Sequence, residues 1–419
     1  MAAPPGKRKT PRRLARWSEL RPLLRWRPLV VDGVDRRLSR AHTIADLRSL
    51  ARRRTPRPVF DYVDGAAENE IGIERAYAAY RDLEFHPRVL RDVSVVDTSV
   101  DILGGPSPLP LVLAPTGFTR MMHHEGEIAV ARAAARAGVP YTLSAMGTTS
   151  IEDLVHAVPG ARHWFQLYLW RDRDAGARLI ERAAAAKYEA LVLTVDTPVA
   201  GARLRDVRNG LTIPPTLTPR TLAAMARHPS WWFNLLTTRP LEFASLTSWH
   251  GTVAELVNQM FDPRADLRDL SWLRGRWPGK LVVKGVQSVE DAVAVVERGA
   301  DAVVVSNHGG RQLDRAPTPL ELLPRVVDAV GAKAEVLVDT GIRSGADLVA
   351  ARALGASAGM VGRAYLFGLM AGGERGVCRA LGILEQEAVR TLQLLGVARM
   401  ADLSAGHVSL RDRGYGRSR

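Results

Sequence analysis

The sequence predicts an α/β protein built as a (β/α)8 TIM barrel, with an N-terminal helical segment and a long insertion after strand 4. Eight short apolar runs, each ending in a polar or glycine-rich corner, begin at residues 109, 140, 163, 190, 280, 302, 335 and 358. Their start-to-start spacings are 31, 23, 27, 90, 22, 33 and 23 residues, so a single interval is irregular. Ala-rich amphipathic stretches such as GEIAVARAAARAG and GADLVAARALG lie between the runs. Strand and helix alternate in the way that parallel pairing requires. A doubly wound open sheet is the competing fold, but it does not normally supply eight such regular units, and no GxGxxG follows the first strand.

Residues 1–40 read as a basic, flexible tail: twelve Lys or Arg stand against Glu19, Asp32 and Asp35, a surplus of +9 within the formal +14 of the chain. With Trp17 and Trp26 interleaved, the tail suits either an anionic lipid surface or plain solvation. No nucleic-acid-binding module accompanies the charge, so no nucleic-acid partner is expected. Arg12-Arg13 precedes no apolar run of export-signal length, and no stretch approaches the roughly 18 apolar residues of a membrane span. The lone Cys378 cannot form an internal disulfide and points to a reducing, cytoplasmic setting, peripheral on the inner face of the membrane if the tail meets lipid.

Residues 41–408 are expected to form one barrel domain. Its first part, 41–108, reads as helical, with Thr43 as N-cap and Asp46 completing an approximate capping box. The 90-residue interval implies an insertion over about 205–270 that carries Trp231, Trp232, Phe233 and Trp249 and ends at Trp272 and Trp277. Such an insert is either a minicore over the barrel mouth or a membrane contact. Residues 365–400 read as a closing amphipathic helix, and 409–419 as a tail.

Barrel active sites are built from C-terminal strand ends. Here those ends read Thr116 and Gly117, Ser144, Gln166 and Tyr168, Thr194 and Asp196, Lys284, Ser306 with His308 and Arg311, Asp339 with Arg343, and Gly362 with Arg363. One such Ser or Thr is commonly a capper or a satisfied buried group, whereas eight polar ends together point to a ligand. DTGIRSG and GRAYLFG place Gly341, Arg343, Gly362 and Arg363 where backbone N–H groups and a helix start hold a phosphate. A buried Lys284 needs either an anionic partner or the depressed pKa of a Schiff-base lysine. His308, between a strand end and Arg311 in SNHGGRQLD, suits proton abstraction from a small anionic substrate, with Asp196 to hold its protonated ring. His123, His124 and Glu125 are adjacent rather than helix-spaced, so no metal is expected.

The motifs FDYVDGAAE, LAPTG, FQLY, LTVDTPVAGARLRD, VVKG, SNHGGRQLD, VDTGIRSG and GRAYL, in that order over about residues 42–408, together resemble the FMN-dependent L-2-hydroxy-acid oxidase and dehydrogenase family. The basic tail and Trp-rich insert are similar to features of its membrane-associated lactate dehydrogenases. The resemblance implies FMN as cofactor and oxidation of a small-molecule L-2-hydroxy acid, L-lactate to pyruvate, with electrons passed to a quinone or another acceptor. An oxygen-using oxidase or lactate monooxygenase is the alternative.

By the same resemblance, His308 is the catalytic base paired with Asp196, while Tyr62, Arg203 and Arg311 hold the substrate carboxylate. Tyr168 contacts the substrate hydroxyl or keto oxygen, and Lys284 sits by flavin N1. Backbone around Thr116 and Gly117 faces flavin N5; Ser144, Gln166 and Thr194 bond the pyrimidine edge; Asp339, Gly341, Arg343, Gly362 and Arg363 belong to the ribityl and phosphate contacts; Pro115 and Ser306 also count among the cofactor contacts. An alkyl pocket open or compact around Met146, where some plant oxidases of the family carry an aromatic residue, favours lactate over glycolate, and a homo-oligomer, tetramer or octamer, is implied. Two positions depart from the family pattern: Gly117, where the oxidases often have Ala, and Thr340, where many members have Gly.

Overall fold

A computed structural model describes residues 13–24, 31–210, 226–246 and 260–410. Trp26, Trp249 and the tail beyond residue 410 lie outside the described residues. Eight parallel strands close into a barrel: β1 (Leu111–Leu113), β2 (Tyr141–Ser144), β3 (His163–Tyr168), β4 (Ala190–Thr194), β5 (Lys280–Val286), β6 (Ala302–Val305), β7 (Glu335–Asp339) and β8 (Ala358–Val361). Each pairs with the next, and β8 closes on β1 with Gly359 opposite Leu111 and Val361 opposite Leu113.

Strand side chains alternate between the two faces of a sheet, and here the alternation sorts two cores. The outward residues Leu191 and Leu193 of β4, Val283 of β5 and Val303 and Val305 of β6 pack under the surrounding helices. The inward residues change character from bottom to top. Ala190 and Val192 lead to Thr194, Val282 to Lys284, Val304 to Ser306, Leu337 to Asp339, and Trp164 to Gln166 and Tyr168, so an apolar floor passes into a buried polar layer at the C-terminal ends.

The floor is closed by a feature that the sequence reading missed. Residues 41–108 are not helical throughout: Val100–Ile102 and Gly105–Ser107 form an antiparallel hairpin, and Leu83–Phe85 pairs with Val408–Leu410. Ile102 and Leu103 enter the apolar floor beside Val112, Trp164 and Met360. The hairpin is held by Arg162, whose guanidinium donates to the carbonyls of Ile102, Gly105 and Pro106 at 2.6–3.1 Å and pairs with Glu189. Its strands are only three residues long and contain Gly and Pro, so no alternating run announces them.

The expected helices before the barrel are α1 (Ile44–Arg54), α2 (Arg57–Asp64) and α3 (Ile71–Arg81). Thr43 and Asp46 cap α1 reciprocally. The closing helix, Arg363–Leu395, starts two residues earlier and ends five residues earlier than expected and breaks at Gly372 and Gly373; it packs against α1 and against Gly126–Ala137. Within the insertion, the helix Pro229–Leu236 exposes Phe233 and Leu236, while Trp231 is partly buried and donates its indole N–H to the Met121 carbonyl at 3.0 Å. No described helix is long and apolar enough to cross a membrane.

Candidate active site

The polar layer opens into a cavity of about 580 Å³ at the C-terminal ends of the strands, a volume within the range of small-molecule and cofactor pockets. Its centre is organised by the loop after β6. There His308, Gly309 and Gly310 follow one another in the left-handed region, with φ of 57°, 66° and 71°, and the turn sets the imidazole against the loop after β4. His308 Nδ1 lies 2.9 Å from Asp196 Oδ1, and the Asp196 side chain is 1% exposed. The carboxylate fixes the N–H on Nδ1 and leaves Nε2 as the acceptor. Among the described residues Nε2 has no protein partner, and His308 lines the cavity.

Two glycines make this approach feasible. Gly285, at φ +106° where the β5–β6 register shifts, lies so close to Asp196 that a Cβ would stand 2.6 Å from Asp196 Cγ. At Gly201 a Cβ would meet the Arg311 carbonyl at 2.2 Å. The side chain of Gln312 ties these loops together, donating to the carbonyls of Asp196 and Val199 and accepting from Gly201 N at 2.9–3.0 Å. The sequence reading did not single out Gln312; only its place in SNHGGRQLD marks it.

One wall of the cavity is cationic. Two guanidinium groups lie over the Tyr62 ring, with Arg311 4.9 Å and Arg203 5.5 Å from its centroid. Arg311 Nη1 is anchored by the Tyr62 carbonyl at 2.6 Å and the Gly65 carbonyl at 3.2 Å. Burial and the neighbouring Arg203 lower the Arg311 pKa to about 10, which still leaves it charged at neutral pH. Asp206, 3.5 Å from Arg203, also lines this wall, and burial pushes its carboxyl above the ordinary aspartate range. Tyr168 is buried; burial first, then the Asp196 charge, raises its phenol, so it remains a proton donor. Phe243 and Phe261, both from the insertion, complete the apolar side near Met146. Phe261 packs edge-on against Tyr168 with centroids 5.2 Å apart.

At the cavity base, Lys284 Nζ lies 2.7 Å from Asp339 Oδ2 and 3.0 Å from Ser306 Oγ. Burial opposes the ammonium charge, but Asp339 and then Asp196 outweigh it and hold the Lys284 pKa above the ordinary lysine range. The ion pair with Asp339 favours the ammonium form over the neutral amine a Schiff base would require. Ser306 was expected among the cofactor contacts. It stands instead behind the wall with its hydroxyl saturated: it donates to Asp339 at 2.8 Å and accepts from Lys284 and from His308 N. No hydrogen-bonding capacity is left for a ligand. Asp196 likewise does not line the cavity and reaches it through His308.

The remaining predicted groups surround the cavity: Pro115, Thr116, Gly117, Ser144, Gln166, Thr194, Gly341, Arg343, Gly362 and Arg363. Ser144 Oγ donates to Gln166 Oε1 at 3.0 Å, which fixes the amide and leaves Gln166 Nε2 buried without a partner among the described residues. Thr116 Oγ1 and the Tyr365 hydroxyl are 2.7 Å apart. A Cβ at Gly117 would stand 3.0 Å from Met146 Cβ, so the Gly in place of Ala accommodates that methionine. Arg343 stacks on Tyr77 with Cζ 3.6 Å from the ring centroid, and its buried Nε has no partner among the described residues. Arg363 differs from its neighbours, because Nε and Nη2 donate to the Val63 and Gly65 carbonyls at 2.9 and 2.7 Å.

A buried amide donor on one side, an unpartnered guanidinium N–H and glycine backbone on another, and a buried lysine between them fit a ring with hydrogen-bonding edges attached to a phosphate. The orphaned Gln166 Nε2 and Arg343 Nε are the clearest signs, since buried donors are rarely left without partners. Elsewhere, His123, His124 and Glu125 bring their ligand atoms within 4.8 Å of one another. Burial and the adjacent His124 lower the His123 pKa to about 3, and Arg37 and Arg54 also disfavour positive charge there.

The sequence pattern of the FMN-dependent dehydrogenases matches residues 51–410. A Mycobacterium tuberculosis protein provisionally named L-lactate dehydrogenase is 58% identical over 398 residues, covering 95% of this chain and 96% of that protein. The L-lactate dehydrogenase of Caulobacter vibrioides is 42% identical over 366 residues, 86% of this chain and 95% of that one. Among solved structures, an (S)-mandelate dehydrogenase described as a monotopic membrane protein superposes with a TM-score of 0.84 at 36% identity, over 88% of this chain and all of that one. The chain belongs to the FMN-dependent dehydrogenase family. It is an oxidoreductase with FMN as its cofactor.

Proposed function

We propose that the protein oxidises an L-2-hydroxy acid, L-lactate to pyruvate in the first instance, and passes the electrons to a quinone or a similar acceptor. The observation that carries this reading is the His308–Asp196 pair at 2.9 Å, opening onto a cavity whose adjacent wall holds Arg203, Arg311 and Tyr62. The guanidinium groups take the substrate carboxylate, with the Tyr62 hydroxyl beside them. Tyr168 donates to the substrate oxygen. His308 Nε2 accepts the proton, and Asp196 stabilises the imidazolium that results. FMN, when bound, accepts the two electrons. Gln166 and Ser144 would hold the ring edge, Lys284 would supply a positive charge to it, and Arg343, Gly341 and Gly362 would take the phosphate end.

A larger acid is the second substrate reading. Phe243 and Phe261 add aromatic surface next to Tyr168, and the structural relative acts on (S)-mandelate. For the acceptor, the exposed Phe233 and Leu236 and the basic N-terminal residues support a peripheral membrane location, where a quinone is available.

Anaerobic mixing of the FMN-loaded protein with L-lactate and, separately, (S)-mandelate, followed by air or a soluble quinone, tests these assignments. Bleaching by L-lactate that recovers quickly with quinone and slowly in air is expected. Fast recovery in air would move the assignment to an oxidase or monooxygenase, and bleaching by mandelate alone would move it to the aromatic acid. Sedimentation with anionic vesicles at low salt tests membrane contact; a wholly soluble protein there would refute it.

A further inference from the structure

We propose that Thr340 is a positioning residue for the oxidation step, its hydroxyl fixing the loop that carries His308; the role rests on reading His308 as the base. Thr340 follows β7 and is 5% exposed, with φ of +81°. A β-branched residue in the left-handed region is a clear outlier, where glycine would sit without strain. Strain of this kind persists where the surroundings over-determine it, and an observed outlier is a reason to look for function.

What the threonine provides is a single hydrogen bond. Its Oγ1 accepts the N–H of Gly309, the residue after His308, at 3.0 Å. The N–H groups of the three consecutive left-handed residues, His308 to Gly310, each find a side-chain oxygen, and that of Gly310 also reaches the Asn307 carbonyl at 2.9 Å. His308 N donates to Ser306 Oγ and Gly310 N to Asn307 Oδ1, both at 3.0 Å and both within the same loop. Of the three acceptors, Thr340 is the one that belongs to another strand. Its own N–H donates to Asp339 Oδ1 at 2.7 Å, while Asp339 Oδ2 accepts from Ser306 at 2.8 Å and pairs with Lys284 at 2.7 Å.

The bonds therefore close a ring running from Ser306 through His308, Gly309, Thr340 and Asp339 back to Ser306. This ring sets the imidazole relative to Lys284, and so the proton acceptor relative to the electron acceptor. Removing the Thr340 hydroxyl frees Gly309 and lets His308 move against Asp196 while leaving the Arg203, Arg311 and Tyr62 wall in place.

The test uses FMN-loaded Thr340→Val, which keeps shape and strain but not the hydroxyl, with Thr340→Ser and His308→Gln alongside. For Thr340→Val, kcat with L-lactate is expected to fall about 10- to 100-fold, as misplacement of a reacting group by about 1 Å does, with KM within about threefold. The pH profile of kcat is expected to shift and amide exchange over residues 305–313 to quicken. Thr340→Ser is expected to restore kcat to within about threefold of the parent. Unchanged kcat and exchange in Thr340→Val, or a Thr340→Ser as impaired as Thr340→Val, would overturn the proposal. A fully active His308→Gln would remove the base reading and the role of Thr340 with it, whereas an inactive His308→Gln beside an unimpaired Thr340→Val would remove the role of Thr340 alone.

Discussion

The two ends of the barrel are built from the same eight strands, and they use their polar groups in opposite ways. At the floor, Arg162 is fully engaged by Glu189 and three hairpin carbonyls, and apolar side chains from Ile102 to Met360 fill the space between the strands. At the mouth, Gln166 Nε2, Arg343 Nε and His308 Nε2 have no protein partner among the described residues, and His308 and Thr340 hold left-handed backbone. One end is arranged for its own stability; the other keeps unpaired donors, an imidazole and left-handed backbone facing a cavity. Substitutions at the two ends should therefore separate activity from stability.

The largest separation is expected at the mouth. His308→Gln should lower kcat with L-lactate by about 10²- to 10⁴-fold, the usual contribution of a general base, while the melting temperature stays near that of the parent. Turnover assays and thermal melts on one preparation check both halves of this expectation. At the floor the pattern should invert. Arg162→Met strips a donor from Glu189 and from the hairpin, at a cost of about 3 kcal/mol for breaking a partly buried pair, yet the rate of flavin reduction per bound FMN should not change. Denaturant unfolding followed by single-turnover reduction would show it, and a lost reduction rate in the folded variant would break the contrast between the ends.

Cofactor removal should act on the mouth alone. At FMN one hundred times its dissociation constant, the holoprotein should exceed the apoprotein by about 2.7 kcal/mol. Hydrogen exchange should locate the difference at the strand ends and not in the hairpin at residues 100–107.

The smallest effect concerns Asp64, at the end of α2, which is bound by Arg48 at 2.5 Å and by Arg205 at 3.1 Å. Burial pushes its carboxyl up, but the two arginines outweigh burial and hold the folded pKa below the ordinary aspartate value. A depressed folded pKa gives stability that is present above the unfolded value of about 3.9 and lost as pH falls through the folded one. Asp64→Asn should accordingly cost about 1.5 kcal/mol at neutral pH, and the difference from the parent should close in acid. Unfolding midpoints between pH 7 and pH 3 test the sign.

The mouth was largely legible in the sequence and the floor was not, for a physical reason. Strands of a parallel barrel are buried on both faces, so each appears as an apolar run, and the residue that ends the run marks the site: Gln166, Lys284 and Asp339 could be placed this way. Ile102 and Leu103 offer only two apolar positions inside a Gly- and Pro-rich turn, and their burial depends on Arg162, sixty residues away in the chain. Phe243 and Phe261 were invisible for a similar reason, since nothing in their neighbours says that the insertion returns to Tyr168. Ser306 shows the opposite error: its position marked it as a ligand contact, while its hydroxyl is consumed by Lys284, Asp339 and His308. The departure at Thr340 was visible as a residue type, but its meaning required the bond to Gly309.

Anaerobic stopped-flow reduction of bound FMN by L-lactate, with Cα–H and Cα–D substrate, tests the central claim most directly when the parent and His308→Gln are run together. The account predicts rapid bleaching of the parent that deuterium slows, and a His308→Gln flavin that stays oxidised although the protein is folded and loaded. Bleaching of His308→Gln at the parent's rate would contradict it.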